Sequence, residues 1–157
     1  MQSKWILGAV WIALAGFIYV MADSALNPNR AGILGESETV VLNRGIDGHY
    51  RAEALINGQK VNVMVDTGAT GVAVSQKVAD RLGLKGQSAI RTRTANGDTV
   101  AYLTRLDSVK IGGVEARDVS AMITPGLDGD VLLGMSFLAR MDVRLYKGTM
   151  TIKQIDP

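Results

Sequence analysis

Two hydropathy patterns divide the chain. From Trp5 to Ala22 the residues are apolar without interruption, whereas from Thr39 onward short alternating runs are separated by turn residues. As a helix rising ~1.5 Å per residue, the first run spans roughly 27 Å, enough for a thin hydrocarbon core. It predicts a transmembrane anchor over residues 1–22. Lys4 ahead of it predicts a cytoplasmic N-terminus, with everything after Asp23 outside. Val20-Met21-Ala22 also has the small residues of a signal-peptidase site, so a cleaved leader is the rival reading. Residues 23–38, "DSALNPNRAGILGESE", mix Pro, Gly, Asn and charge without period and read as a linker.

The domain over residues 39–157 reads as mostly β. "TVVLNRG", "HYRAEAL" and "KVNVMVD" are strand-like, and Asn57-Gly58 joins the last two as a hairpin because both turn positions take positive φ. One helix is predicted at "SQKVADRLG". Ser75 caps its start, Val74, Val78 and Leu82 share a face, and Gly83 provides the left-handed stop. Hairpins follow at Ala95-Asn96-Gly97-Asp98 and Gly112-Gly113. Then come the apolar strand "DVLLG", a short helix-like "SFLARM", and a final pair, "DVRLYKG" and "TMTIKQ". The pattern predicts a single closed or sandwich-like β domain with one or two short helices.

Composition removes several chemistries. The chain has no cysteine and one histidine, His49, which excludes thiol nucleophiles, disulfides and zinc sites built from several Cys or His ligands. No Gly-x-Ser-x-Gly elbow accompanies His49. With 17 basic and 15 acidic residues and no basic run, nothing suits nucleic acid as a partner. Asp128-Gly129-Asp130 falls short of a calcium loop and reads as a turn. His49, standing before a strand, reads as a surface hydrogen-bonding residue. Carboxylates remain as the catalytic candidates.

"VMVDTGAT" is the most informative stretch. Val61, Val63 and Val65 alternate with Asn62 and Met64, so Asp66 leaves a buried strand and enters a tight loop, where it needs hydrogen-bond donors. Gly68 lets backbone amides approach the carboxylate, and Thr67 offers a hydroxyl to brace the loop. Further along, "VLLGMSFLARM" is a core strand ending in Gly134, and a glycine there lets two backbones pass closely.

Taken in order, "DGHY", Asp-Thr-Gly-Ala-Thr, "TANGD" and "LLGMSFL" resemble the retropepsin-type aspartic proteases, of the bacterial membrane-anchored kind. The resemblance implies a single-lobe retropepsin-like domain and an aspartic endopeptidase acting on a protein or peptide substrate, with no cofactor and no metal. It implies Asp66 as the catalytic residue, Thr67, Gly68 and Ala69 as its loop, and Leu132, Leu133 and Gly134 as the supporting strand. Thr94, Ala95, Asn96 and Gly97 match the tip of the family's flap, though without its Gly-rich retroviral sequence. The weak alternation of Arg91, Arg93, Thr99 and Ala101 suits a mobile cover better than a core strand. Because the chain carries one Asp-Thr-Gly loop, the second carboxylate is implied to be Asp66 of an identical chain in a homodimer. The implied location is the bacterial inner membrane, single-pass, with the catalytic domain on the periplasmic side. A non-cleaving peptide-binding module of the same fold is the alternative, and a monomer that pairs only when clustered or processed is another.

Overall fold

The computed structural model describes residues 2–26, 37–94 and 97–155. Helix α1 (Gln2–Leu26) holds the apolar run and continues past Ala22, so Asp23 to Leu26 are helical. Its stretch Trp5–Leu26 is long and apolar enough to cross a membrane, and its apolar side chains are exposed. The linker residues 27–36 lie outside the described residues.

Among the described residues the domain contains ten strands: β1 (Thr39–Asn43), β2 (Tyr50–Ile56), β3 (Gln59–Val65), β4 (Val72–Ser75), β5 (Ala89–Thr94), β6 (Gly97–Ile111), β7 (Val114–Thr124), β8 (Val131–Leu133), β9 (Met141–Tyr146) and β10 (Thr149–Gln154). Two short helices, α2 (Gln76–Leu82) and α3 (Met135–Leu138), complete it. The predicted Asn57-Gly58 turn is present with positive φ at both residues, 49° and 78°. The predicted helix is α2: the Ser75 hydroxyl accepts the Val78 amide, and Gly83 stops it at φ 67°. Val74, however, belongs to β4. The apolar spacing from Val74 to Leu82 bridges a strand and a helix, which is why it reads as one helical face.

Seven strands form one sheet in the order β2-β3-β8-β4-β7-β6-β5, and β6 also pairs β2 through Leu55↔Lys110 and Ile56↔Val109. That extra pairing curls the sheet back on itself into a closed, barrel-like, mostly β domain. Val61, Val63, Val65, Leu106, Val109, Ile111, Val119 and Leu133 fill its interior. Strand β6 makes this closure possible because it is long enough to leave the β5 hairpin, cross β7 and reach β2. Ala101, expected in a loose cover, is fully buried, because the hairpin and the core strand are one continuous element. A separate sheet, β1-β10-β9, joins the two ends of the domain.

The functional consequence of this topology lies between β3 and β4. Strand β8 is inserted between them, parallel to β3 (Val65↔Leu133) and antiparallel to β4 (Ala73↔Leu132). The chain leaving β3 must therefore pass over the end of β8 before it turns back as β4. The segment that crosses begins at Asp66.

Candidate active site

The crossing loop is held from below by backbone hydrogen bonds. The Asp66 amide donates to the Leu133 carbonyl at 3.0 Å, and the Met135 amide donates to the Ala69 carbonyl at 2.8 Å. These bonds bring the two backbones so close that a Cβ at Gly134 would fall 2.5 Å from the Ala69 oxygen, and nearer still to that of Gly71. Only glycine fits beneath the loop, as the sequence pattern predicts for Gly134. Leu133 is buried in the core and Leu132 faces the other side of the sheet, half-buried.

Within the loop, the Gly68 amide donates to Asp66 Oδ1 at 2.8 Å, and the Ala69 amide donates to the Asp66 carbonyl at 3.3 Å. The tight turn therefore orients the carboxylate with its own backbone. A Cβ on Gly68 would lie 3.2 Å from Oδ1, so the missing side chain keeps the amide close to the acid. Asp66 is half-buried, whereas Thr67, Gly68 and Thr70 are exposed on the same loop. A carboxylate presented in this way can accept a proton from water or a substrate group in front of it.

Ser136, which the sequence did not single out, braces the far end of the loop. Its hydroxyl accepts the Val72 amide at 3.0 Å and donates to the Ser120 carbonyl at 2.8 Å, tying the start of β4 to β7 through α3. A serine inside the apolar run "MSFLARM" looks like an exposed helix position, so no local signal marks it.

Beside the loop lies a cavity of about 820 Å³. Its floor is the outer face of β2, β3 and β8, including Arg51, Met64 and Leu132, and the segment from Leu127 to Asp130 overhangs it. The predicted Asp128-Gly129-Asp130 turn thus lines this cavity, and Asp66 is not among its lining residues. His49 lines the opposite side. It is positioned by the turn before β2, where Asp47 Oδ1 accepts the His49 amide at 3.1 Å and Asp47 Oδ2 meets the Arg51 guanidinium at 2.9 Å. The His49 amide first, then Arg51, hold the Asp47 carboxyl below its ordinary value near 3.8.

The predicted hairpin lies partly within the described residues. Strands β5 and β6 form the expected hairpin, paired from Ala89↔Tyr102 to Thr94↔Gly97, with Gly97 at φ 108°. Ala95 and Asn96, the tip, lie outside the described residues. The base of the hairpin is fastened where the Gln87 amide donates to the Leu103 carbonyl at 2.7 Å and the Leu103 amide to Ser88 at 2.8 Å.

The sequence model of gag-polyprotein aspartyl proteases matches residues 52–140, which contain the crossing loop, the hairpin and β8. An uncharacterised protein of the cobV 5′ region in Sinorhizobium sp is 32% identical over 127 residues, 76% of this chain and 54% of that protein. An uncharacterised Rickettsia prowazekii protein is 35% identical over 127 residues, 79% of this chain and 54% of its own length. The chain thus spans about half the length of each. The crystal structure of a retropepsin-like aspartic protease from Rickettsia conorii superposes with a TM-score of 0.64 at 32% identity, covering 74% of this chain and 91% of that one. Matched over more than half its length, with the Asp66 loop and its Gly134 support inside the matched span, the chain belongs to the retropepsin-like aspartic proteases.

Proposed function

We propose that this protein is an aspartic endopeptidase whose site is assembled from the Asp66 loops of two identical chains. The observation that carries the reading is the presentation of Asp66: a half-exposed carboxylate at the end of a buried strand, fixed by the Gly68 amide and by a backbone crossing that admits no side chain at Gly134. One loop supplies one carboxylate. Two of them, brought face to face by a twofold axis, share a proton because both cannot ionise easily at short range. The ionised member takes a proton from a bound water, the water attacks the peptide carbonyl, and the protonated member hydrogen-bonds the carbonyl oxygen. No covalent intermediate forms.

In this reading the exposed Thr67 hydroxyls brace the paired loops, and Thr94 to Gly97 cover the substrate from the flap. Substrate side chains enter the cavity over Met64 and Leu132. Helix α1 anchors the chain in the bacterial inner membrane with Lys4 inside, residues up to 38 act as a tether, and residues 39–157 work on the periplasmic side.

The test is cleavage of a mixed peptide library by the full-length chain in detergent across pH, compared with Asp66→Asn. The expected result is a loss of about 10²–10⁴-fold in turnover at unchanged folding. In mixtures of the two chains, activity should follow the square of the live fraction. Peptide binding without cleavage by the unmodified chain would instead identify a binding module of the same fold.

A further inference from the structure

The cavity floor is built in rows that lead away from Asp66. By register, Arg51, Met64 and Leu132 share one row and Glu53 and Asn62 the next, with Asp130 two residues before Leu132 on the same face. Asp66 follows β3 in phase with Met64. At a strand rise of ~3.3 Å per residue, Met64 stands about 7 Å from the acid and Asn62 about 13 Å. A group extending along this face from Asp66 therefore meets an apolar strip first and polar oxygens afterwards.

The charges around those oxygens do not cancel. Arg51 is drawn to Asp47 at 2.9 Å and Glu53 to Lys60 at 2.9 Å. Asp128 and Asp130 also line the cavity, and no cation among the described residues pairs with either carboxylate. Their backbone is nevertheless fixed: the Leu127 amide donates to the Thr124 carbonyl at 3.1 Å, and the Asp130 carbonyl accepts the Ser75 amide at 2.9 Å. Gly129, at φ 94°, makes the turn between the two acids. An apolar strip ending at a fixed wall of carboxylates complements a cation carried on a long apolar stem. An acidic side chain would be repelled there, and a purely apolar one would leave the carboxylates unanswered.

We propose that this cavity selects arginine or lysine next to the scissile bond. The inference rests on the reading of Asp66 as the catalytic acid, and it names the substrate class for that site. The stem lies on Met64 and Leu132, and the cation reaches Asp130 first, then Asp128. Two residues of strand, about 7 Å, separate the apolar row from the polar one, a distance that three or four methylenes and a charged end can span. Each chain of the proposed dimer carries the cavity, so one lies on either side of the bond. Peptides with a basic residue on both sides are the best substrates.

The test gives the full-length chain in detergent peptide pools that are random except at one fixed position, occupied by arginine, lysine, norleucine or glutamate. Mass spectrometry reads the cuts beside that position. Arginine and lysine should be cut fastest and glutamate slowest. Asp130→Asn should lower the arginine-to-norleucine ratio about tenfold. Asp128→Asn should lower it less, because that side chain is the more exposed. Asp130→Lys should turn the preference toward glutamate. A ratio near one, or a ratio unchanged when both acids are replaced by Asn, overturns the proposal. The peptidase reading fails separately. If no pool is cut, fluorescence anisotropy of labelled peptides decides: tighter binding of arginine that Asp130→Asn removes keeps the selectivity and rejects the enzyme, whereas equal or no binding rejects both. Cuts confined to apolar residues keep the enzyme and reject the selectivity.

Discussion

The Asp66 loop and the β5–β6 hairpin are built on opposite physical terms. The Asp66 loop is short, crosses directly over β8, and is tied by backbone bonds to Leu133 and Met135 and by the Ser136 hydroxyl beneath its far end. The β5–β6 hairpin is long, fastened at its base by Gln87, Ser88 and Leu103 and by the Thr104 hydroxyl donating to the Lys85 carbonyl, and carries exposed Arg91, Arg93 and Asp98 toward its tip. The contrast between the two segments comes from where the hydrogen bonds are placed. Residue polarity alone does not separate them.

The strongest way to break the first loop is Gly134→Ala. Its Cβ would meet carbonyl oxygens of the loop backbone, which has no rotamer through which to yield, so destabilisation of about 3 kcal/mol or more is expected, read as a large fall in Tm by circular dichroism. Ser136→Ala comes next. It strands the Val72 amide and the Ser120 carbonyl together, and thermal unfolding should register a loss of about 2 kcal/mol. Gly86→Ala probes the base of the hairpin, because a Cβ there would stand 2.6 Å from that of Tyr102. Gly86 is exposed, so β6 can shift slightly; a loss of about 1 kcal/mol, with faster amide exchange at Leu103, is expected. The smallest effect belongs to Arg93→Ala. Its ion pair with Asp98 is exposed on both sides, and unfolding should change by under about 0.5 kcal/mol. A large effect at Arg93 with a small one at Ser136 would invert the contrast between the two loops.

What could be read from the residues follows the same division. The Asp66 loop and Gly134 were legible because each depends on residue types that few other settings demand: a carboxylate after a buried strand, and a glycine where backbones touch. Strand β4 was not legible. Its four residues are too short for alternation to show, and Val74 falls in helical phase with Val78. The insertion of β8 between β3 and β4 was equally hidden, since Val131 to Leu133 carry no mark of which strands they separate. Met64 sits at the polar phase of its strand, so alternation assigns it to solvent, whereas together with Leu132 and the Leu127 to Asp130 segment it lines a cavity. The buried Ala101 of the β5–β6 hairpin was missed because hairpin and core strand share β6 without a break.

The insertion of β8 also sets a schedule. During synthesis, residues up to Thr124 contain both strands that will border the slot and the loop that will cross it, but nothing to fill it. Until Val131 to Leu138 emerge, the Asp66 amide has no Leu133 carbonyl to meet and the Val72 amide has no Ser136 hydroxyl. Pairing across such sequence distance is slow compared with local hairpins. The Asp66 loop is therefore among the last features of the domain to take its final geometry, and a ribosome still holding the C-terminal segment keeps the nascent chain without a formed loop.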